Sequence, residues 1–390
     1  MLQKCRSRQV VNITVVFGTR PEAIKLAPII HRLARVNWCN LRVVVTGQHT
    51  EMLGQVLDVF GITPDADLAI MQPGQSLYDI TIRTLAGLEC EFNQHHPDLI
   101  IVQGDTTTTF AAALAAFYAK VPIAHVEAGL RTFEKYAPFP EELNRVLTSH
   151  LADWHYAPTE RARRNLYREG IAPERILVTG NTAIDALQWV VAQLSQLDSI
   201  ERQSLLSLPT EVIELCERSH QRIVLVTGHR RESFGEGFER ISHALAELAR
   251  SEQDIAIIYP VHRNPNVRVP VEQALAAVPN VHLLDPLPYR EFAYLMQHAA
   301  FIITDSGGIQ EEAPSLGKPV LVLRDVTERP EAIEAATARL VGTHPDCIIS
   351  TAQRLLHDDD FYRSMARAHN PYGDGHAAER IVAHLKRLAQ

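Results

Sequence analysis

Ile302-Ile303-Thr304-Asp305-Ser306-Gly307-Gly308-Ile309-Gln310-Glu311-Glu312 is the stretch on which the fold turns. An apolar strand ending at Thr304 meets Ser-Gly-Gly, and a helix with two early carboxylates follows at once. Glycines let a ligand approach the backbone closely, and the first amides of a helix are unpaired donors suited to an anion. A carboxylate one turn further on can accept hydrogen bonds from ribose hydroxyls. The stretch predicts a βα turn built for a nucleotide diphosphate, with phosphates on the loop and sugar beside a glutamate. Read without a ligand, it is a βα turn whose glutamates favour the helix N-terminus.

Outward from this turn the chain alternates strand and helix with short connections, the pattern of an α/β fold with parallel sheets. Strands are expected at 13–17, 41–46, 99–103, 123–126, 154–157 and 176–179, then at 223–227, 255–259, 281–284, 301–304, 320–323 and 339–341. Several are near-continuous Val/Ile/Leu runs, as when helices cover both sheet faces. A polar, helix-prone stretch from about Gln193 to Gln221 carries no strand signal. It separates two Rossmann-like doubly wound domains, residues 1–192 and 193–370, with a terminal helix in 371–390 packing back on the first. Such domains place ligands at the carboxyl ends of their strands, and facing ends would put the substrate in a cleft between domains.

Bulk properties narrow the function. The chain has 390 residues, 46% hydrophobic and 22% charged, which suits a soluble globular protein of two domains. A net charge of −8 argues against a nucleic-acid or anionic-membrane surface. No apolar stretch approaches the ~20 residues that span a bilayer. Met1–Gln9 is basic and lacks an apolar core, so it reads as an extension before the first strand and not as a secretory signal. Cys5, Cys39, Cys90, Cys216 and Cys347 are scattered with no CxxC pair, which fits reduced cytoplasmic thiols and no zinc site.

Other strand ends carry candidate chemistry. Gly18-Thr19-Arg20-Pro21-Glu22-Ala23-Ile24-Lys25 opens a helix with Pro near its first position, and Arg20 and Lys25 there oppose the helix dipole. That placement makes sense around a dianion; otherwise both side chains point into solvent. Asp105 follows the 99–103 strand, where it could equally cap the next helix. Glu127 closes the 123–126 strand, an unusual place for a carboxylate without a partner or substrate. Glu141 and Glu142 open a later helix, where charge–dipole stabilisation alone would explain them. Asp105, Glu127 and Glu141 together place acids at one edge, where crowding lets one donate a proton while another accepts. His229-Arg230-Arg231 and Arg329 follow strands of the second half and could hold a diphosphate; a solvated basic loop is the alternative.

These residues, with 125–131, Pro140-Glu141-Glu142-Leu143-Asn144-Arg145, 227–232, 305–314 and 327–331, resemble the non-hydrolysing bacterial UDP-N-acetylglucosamine 2-epimerases, in order from about residue 12 to the final helix. The resemblance implies the GT-B arrangement of two Rossmann-like domains, a homodimer, and interconversion of UDP-N-acetylglucosamine with UDP-N-acetylmannosamine without metal or redox cofactor. It implies UDP contacts from Arg20, Lys25, His229, Ser306, Gly307, Gly308, Glu312 and Arg329, with Leu287 and Phe292 near the uracil. Asp105, Glu127 and Glu141 match its catalytic acids. A second, activating substrate site near Gln48 and Gln72–Gln75 is implied by some members.

The chemistry can be reasoned separately. The C2 proton has no adjacent carbonyl to acidify it, whereas UDP at C1 is a good leaving group. Elimination of UDP would give a 2-acetamidoglucal, and reprotonation at C2 from the opposite face with re-addition of UDP would give the epimer. Carboxylates move the proton, and His229 with other donors stabilises the departing diphosphate. A GT-B glycosyltransferase, a hydrolysing epimerase and a UDP-sugar sensor are the rival readings.

Overall fold

The computed structural model describes residues 10–47, 50–218 and 220–389. The extension 1–9, with Cys5, and Gln48 of the implied activating site therefore lie outside the described residues. The chain divides into two compact units, one of Met1–Ala186 with Tyr372–Gln390, the other of Leu187–Pro371.

The first unit runs β1 Val11–Phe17, α1 Arg20–Leu33, β2 Cys39–Val45, α2 Thr50–Phe60, β3 Ala66–Asp67, α3 Leu77–His95, β4 Leu99–Gln103, α4 Thr107–Tyr118, β5 Ile123–Val126, α5 Glu141–Leu151, β6 Trp154–Ala157, α6 Glu160–Arg168, β7 Ile176–Val178 and α7 Thr182–Gln196. The boundary expected at 192/193 falls inside α7, and the change of unit, after Ala186, comes within that helix too. The strands form one sheet in the order β3-β2-β1-β4-β5-β6-β7, every pair parallel. Its order reverses between β1 and β4, so the loops after those strands open a crevice at their carboxyl ends. β3 escaped the sequence reading because two residues, Ala and Asp, form no apolar run.

Burial explains the packing. Ile100, Ile101 and Val102 of β4 are fully buried, as a strand covered on both faces must be. The small residues Ala112, Ala113 and Ala116 let α4 lie close against Val16, Ile100 and Val102.

The second unit continues with α8 Ser199–Leu205, α9 Thr210–Arg218, β8 Arg222–Thr227, α10 Glu236–Ser251, β9 Ile255–Pro260, α11 Pro265–Leu275, β10 Val281–Leu284, α12 Tyr289–His298, β11 Ala299–Thr304, α13 Gly307–Glu312, β12 Val320–Val322, α14 Pro330–Glu334, β13 Ala338–Leu340, α15 Pro345–His357 and α16 Asp359–Ala366. Its parallel sheet has the order β10-β9-β8-β11-β12-β13, and the reversal between β8 and β11 brings the loops at His229 and Ser306 together. Phe238, Ile241 and Leu245 of α10 pack on Val224, Ile257 and Ile303 in its core.

The chain then returns to the first unit. Asn181 N–H donates to the Tyr372 carbonyl at 2.7 Å, and the Asp185 carboxylate accepts the Ala377 and Ala378 amides at 3.2 and 2.9 Å. Those amides open α17, Ala377–Leu388, so Asp185 supplies the anion that its N-terminus favours. Tyr156 and His384 lock the helix further on, 3.1 Å apart.

Candidate active site

In the first unit the crevice is lined by acids held by cations. Lys25, one turn inside α1, places its Nζ 2.6 and 2.7 Å from the two oxygens of Glu127. Gln103 Nε2 donates to the same carboxylate, and Asn181 Nδ2 donates to it at 3.2 Å. Glu127 is thus surrounded by donors, is 8% exposed, and sits at φ 61, a region a non-glycine residue adopts rarely and at a cost. Such strain persists where surrounding contacts over-determine it, and it is found preferentially at functional sites.

Asp105 is part of the same charged group. Its carboxylate meets Arg145 Nη2 at 2.6 Å, and Arg145 Nη1 lies 3.2 Å from Glu142. Burial raises the Asp105 carboxyl; Arg145 and Lys25 pull it down while Glu127 pushes it up, and the net shift is upward. The cap of α4 is Thr106, not Asp105, since the Thr106 hydroxyl accepts the Thr109 amide. Asp105 is therefore released from the structural role that could have explained it.

Glu141 is the first residue of α5 and half-buried. Its neighbours do the tying: Glu142 accepts the amides of Thr132 and Phe133, and Asn144 Nδ2 donates to the Asp105 carbonyl at 3.0 Å. Arg145, Gln103 and Asn181 were not singled out from the sequence. The Asn-Arg that follows Glu-Glu by one residue was the available signal for Arg145.

In the loop at Gly18 the Gly18 and Thr19 amides donate to Glu22 at 3.0 and 2.7 Å, so an internal carboxylate takes those two donors and they are not left for the expected dianion. Lys25, expected beside that dianion, lies on Glu127. Arg20 opens α1, half-buried.

In the second unit Asp305 organises the loop after β8. Its Oδ2 accepts the His229 and Arg230 amides at 2.7 and 2.8 Å, and its Oδ1 lies 3.2 Å from His229 Nδ1. Burial would raise this carboxyl, but the hydrogen bonds and charge of His229, with the two amides, hold it below the usual range. The His229 ring, 44% exposed, stacks on His262.

Ser306, Gly307 and Gly308 follow β11 as foreseen. Ser306 stands at the N-cap position without a capping side-chain bond, Gly307 is buried, and Gly308 is exposed. A Cβ on Gly307 would stand in ordinary contact, 3.7 Å, with the Arg329 guanidinium carbon, so that cation lies beside the loop. Arg329 itself pairs with Glu311, whereas Glu312 stays half-buried at the end of α13. α13 has no acid in its first turn, which removes the reading of both glutamates as dipole partners. Phe292 and Leu287, both half-buried, stand at the head of α12. An open groove lined by Glu214, Leu215, Gln221, Asn280 and His282 lies at the opposite, amino ends of β8 to β10. Among the described residues no cluster of His, Cys, Asp or Glu is placed to hold a metal ion.

Two Rossmann-like units, one bearing paired acids at its switch point and the other a His–Asp pair beside a Ser-Gly-Gly turn, define a nucleotide-binding α/β protein. The chain belongs to the UDP-N-acetylglucosamine 2-epimerase family, whose model matches residues 31–386. The UDP-N-acetylglucosamine 2-epimerase of Escherichia coli is 56% identical over 376 residues, covering 96% of this chain and 98% of the relative. A crystal structure of UDP-GlcNAc 2-epimerase from Neisseria meningitidis bound to UDP-GlcNAc superposes with a TM-score of 0.85 at 47% identity, covering 97% of this chain and 100% of that one. The glycotransferase of kitacinnamycin shares the fold alone, at TM-score 0.65 and 12% identity over 98% of this chain and 100% of its own.

Proposed function

We propose that this chain interconverts UDP-N-acetylglucosamine and UDP-N-acetylmannosamine. A carboxylate takes the C2 proton as the C1–O bond breaks, UDP leaves with the bonding electron pair, and a 2-acetamidoglucal remains. Return of a proton to the other face of C2 and of UDP to C1 completes the epimerisation. The observation that carries this reading is the pair Asp105 and Glu127, adjacent acids held by separate cations. Asp105, with its raised carboxyl, suits proton return, and Glu127, ringed by donors, suits the complementary half. Glu141 is the third acid.

His229, oriented by Asp305, assists the departing diphosphate together with Arg20 and Arg329. Lys25 reaches the diphosphate or serves Glu127, and its contact with Glu127 supports the second role. Ser306, Gly307 and Gly308 hold phosphate oxygens, Glu312 the ribose, and Leu287 and Phe292 the uracil. The product would feed surface polysaccharide synthesis in the cytoplasm, and no described helix is long and apolar enough to cross a membrane. A homodimer is supported by Tyr78, Ile82, Phe117 and Tyr118, exposed on the adjoining helices α3 and α4.

Incubation with UDP-N-acetylglucosamine in D2O, followed by NMR, tests the reading. Two intact UDP-sugars with deuterium at C2 are expected. Free sugar with UDP would instead indicate a hydrolase, and no reaction without an acceptor would indicate a transferase or sensor.

A further inference from the structure

Glu22 has no part in the roles assigned above, yet it is 1% exposed beside them. One carboxylate oxygen accepts the Gly18 and Thr19 amides. The other accepts the Thr106 hydroxyl at 2.7 Å and lies 2.8 Å from the Thr109 hydroxyl, on a helix more than eighty residues away in the chain. A capping box needs only the first of these contacts. The second set joins the head of α1 to the head of α4.

The joined end is the segment that presents Asp105. Thr109 Oγ1 lies 2.7 Å from the Gln103 carbonyl, His125 Nε2 lies 2.7 Å from the Gly104 carbonyl, and Asn144 Nδ2 donates to the Asp105 carbonyl at 3.0 Å. Three successive carbonyls are thus held by side chains from α4, β5 and α5. Burial pushes His125 down to about 3, so its ring is neutral and can donate from Nε2 while Nδ1 stays bare. The single Thr109 proton goes either to Glu22 or to Gln103, and a proton on Glu22 would satisfy the second contact in reverse. Either arrangement keeps the same geometry.

We propose that Glu22 is a positioning residue for the proton-transferring acids of the first unit. It ties the helix that carries Lys25, and through Lys25 Glu127, to the strand end that carries Gln103 and Asp105. The inference rests on the epimerase reading above. Proton transfer falls steeply with misplacement, by as much as ~100-fold for about 1 Å. Binding of UDP calls mainly on the second unit, with Arg20 its contribution from α1, and is less sensitive to that placement.

Three variants test it: Glu22→Met removes the tie, Thr109→Val removes one end isosterically, and Glu22→Gln preserves it, since a carboxamide can accept the amides and donate to the hydroxyls. In Glu22→Met and Thr109→Val, C2 deuterium exchange and kcat should fall by roughly 10-fold or more, with KM and UDP affinity within about threefold of wild type. Glu22→Gln should keep kcat within about threefold of wild type. If Glu22→Met does not fold, Thr109→Val decides. Wild-type kcat in a folded Glu22→Met or in Thr109→Val would overturn the inference, as would parallel losses of kcat and UDP affinity, the mark of a general structural role. No exchange in the wild-type protein would refute the epimerase reading and this inference with it; exchange in wild type and undiminished exchange in the variants would refute the inference alone.

Discussion

The Lys25 ammonium lies against both carboxylate oxygens of Glu127, 102 positions away in the chain. It joins the first helix of the first unit to the end of its fifth strand, and the amides of Gln103 and Asn181 complete the shell around the carboxylate.

Lys25→Met leaves Glu127 buried among neutral donors only. Loss of one partner from a buried pair costs about 3–5 kcal/mol where nothing else compensates; with two amides remaining, roughly 1–3 kcal/mol is expected. Urea unfolding at neutral pH measures it. An unchanged midpoint would mean that the pair is not formed in solution.

Glu127→Gln and Asp105→Asn should both abolish C2 exchange while UDP binding persists, and turnover in both would remove the acid–base roles. Stability separates the two acids. The Asp105 carboxyl is raised on folding, so its ionisation opposes the native state: its favourable contribution is full below the unfolded pKa and lost as pH rises through the folded value. Asp105→Asn should therefore unfold at an unchanged or higher temperature at pH 7, which calorimetry can read. A fall in midpoint of several degrees would contradict the assigned shift.

Asp305 behaves in the opposite sense. Its folded pKa is held down, so it stabilises the protein above the unfolded value of about 3.9 and loses that contribution as pH falls through the folded value. Asp305→Asn should cost about 1–3 kcal/mol at pH 7, with the deficit narrowing below about pH 4. Denaturant titrations at pH 7 and pH 3 give the comparison. Because the same carboxylate orients His229, kcat should fall too, and His229→Asn should lower it by about 10²-fold or more.

Gly129 allows the turn that carries Glu127. Its φ is +92, and a Cβ there would stand 2.4 Å from the Ala162 carbonyl oxygen. Gly129→Ala is expected to destabilise the protein by roughly 2–4 kcal/mol through steric overlap and an unfavourable backbone conformation. An unfolding curve superimposable on that of wild type would show that the turn relaxes freely.

The βα rhythm was legible because apolar runs such as 99–103 and 301–304 become strands for a reason each residue carries locally: β-branched, apolar side chains buried on both faces. The two-residue β3 carries no such run. Asp105 and Glu127 were legible because carboxylates at strand ends are conspicuous. Their partners were not, because the pairings of Lys25, Arg145 and Asn181 join distant segments through topology. Arg329 shows the same limit at closer range: two adjacent glutamates, Glu311 and Glu312, were both available to it, and only the turn of α13 decides that Glu311 receives it. Glu22, read as part of an anion-binding loop, itself takes the amides of that loop.

The hydrogen bonds that Asp185 accepts from the start of α17 carry a consequence for synthesis on the ribosome. Residues 187–371 emerge before the segment that those bonds require. At ~5–20 residues per second, a nascent chain whose β1–β7 sheet is already made would wait roughly ten to forty seconds for its closing helix. Over that interval the later-born unit can be complete while the earlier-born one is not, and the surface of α1 that α17 covers stays open to chaperones or to misassembly.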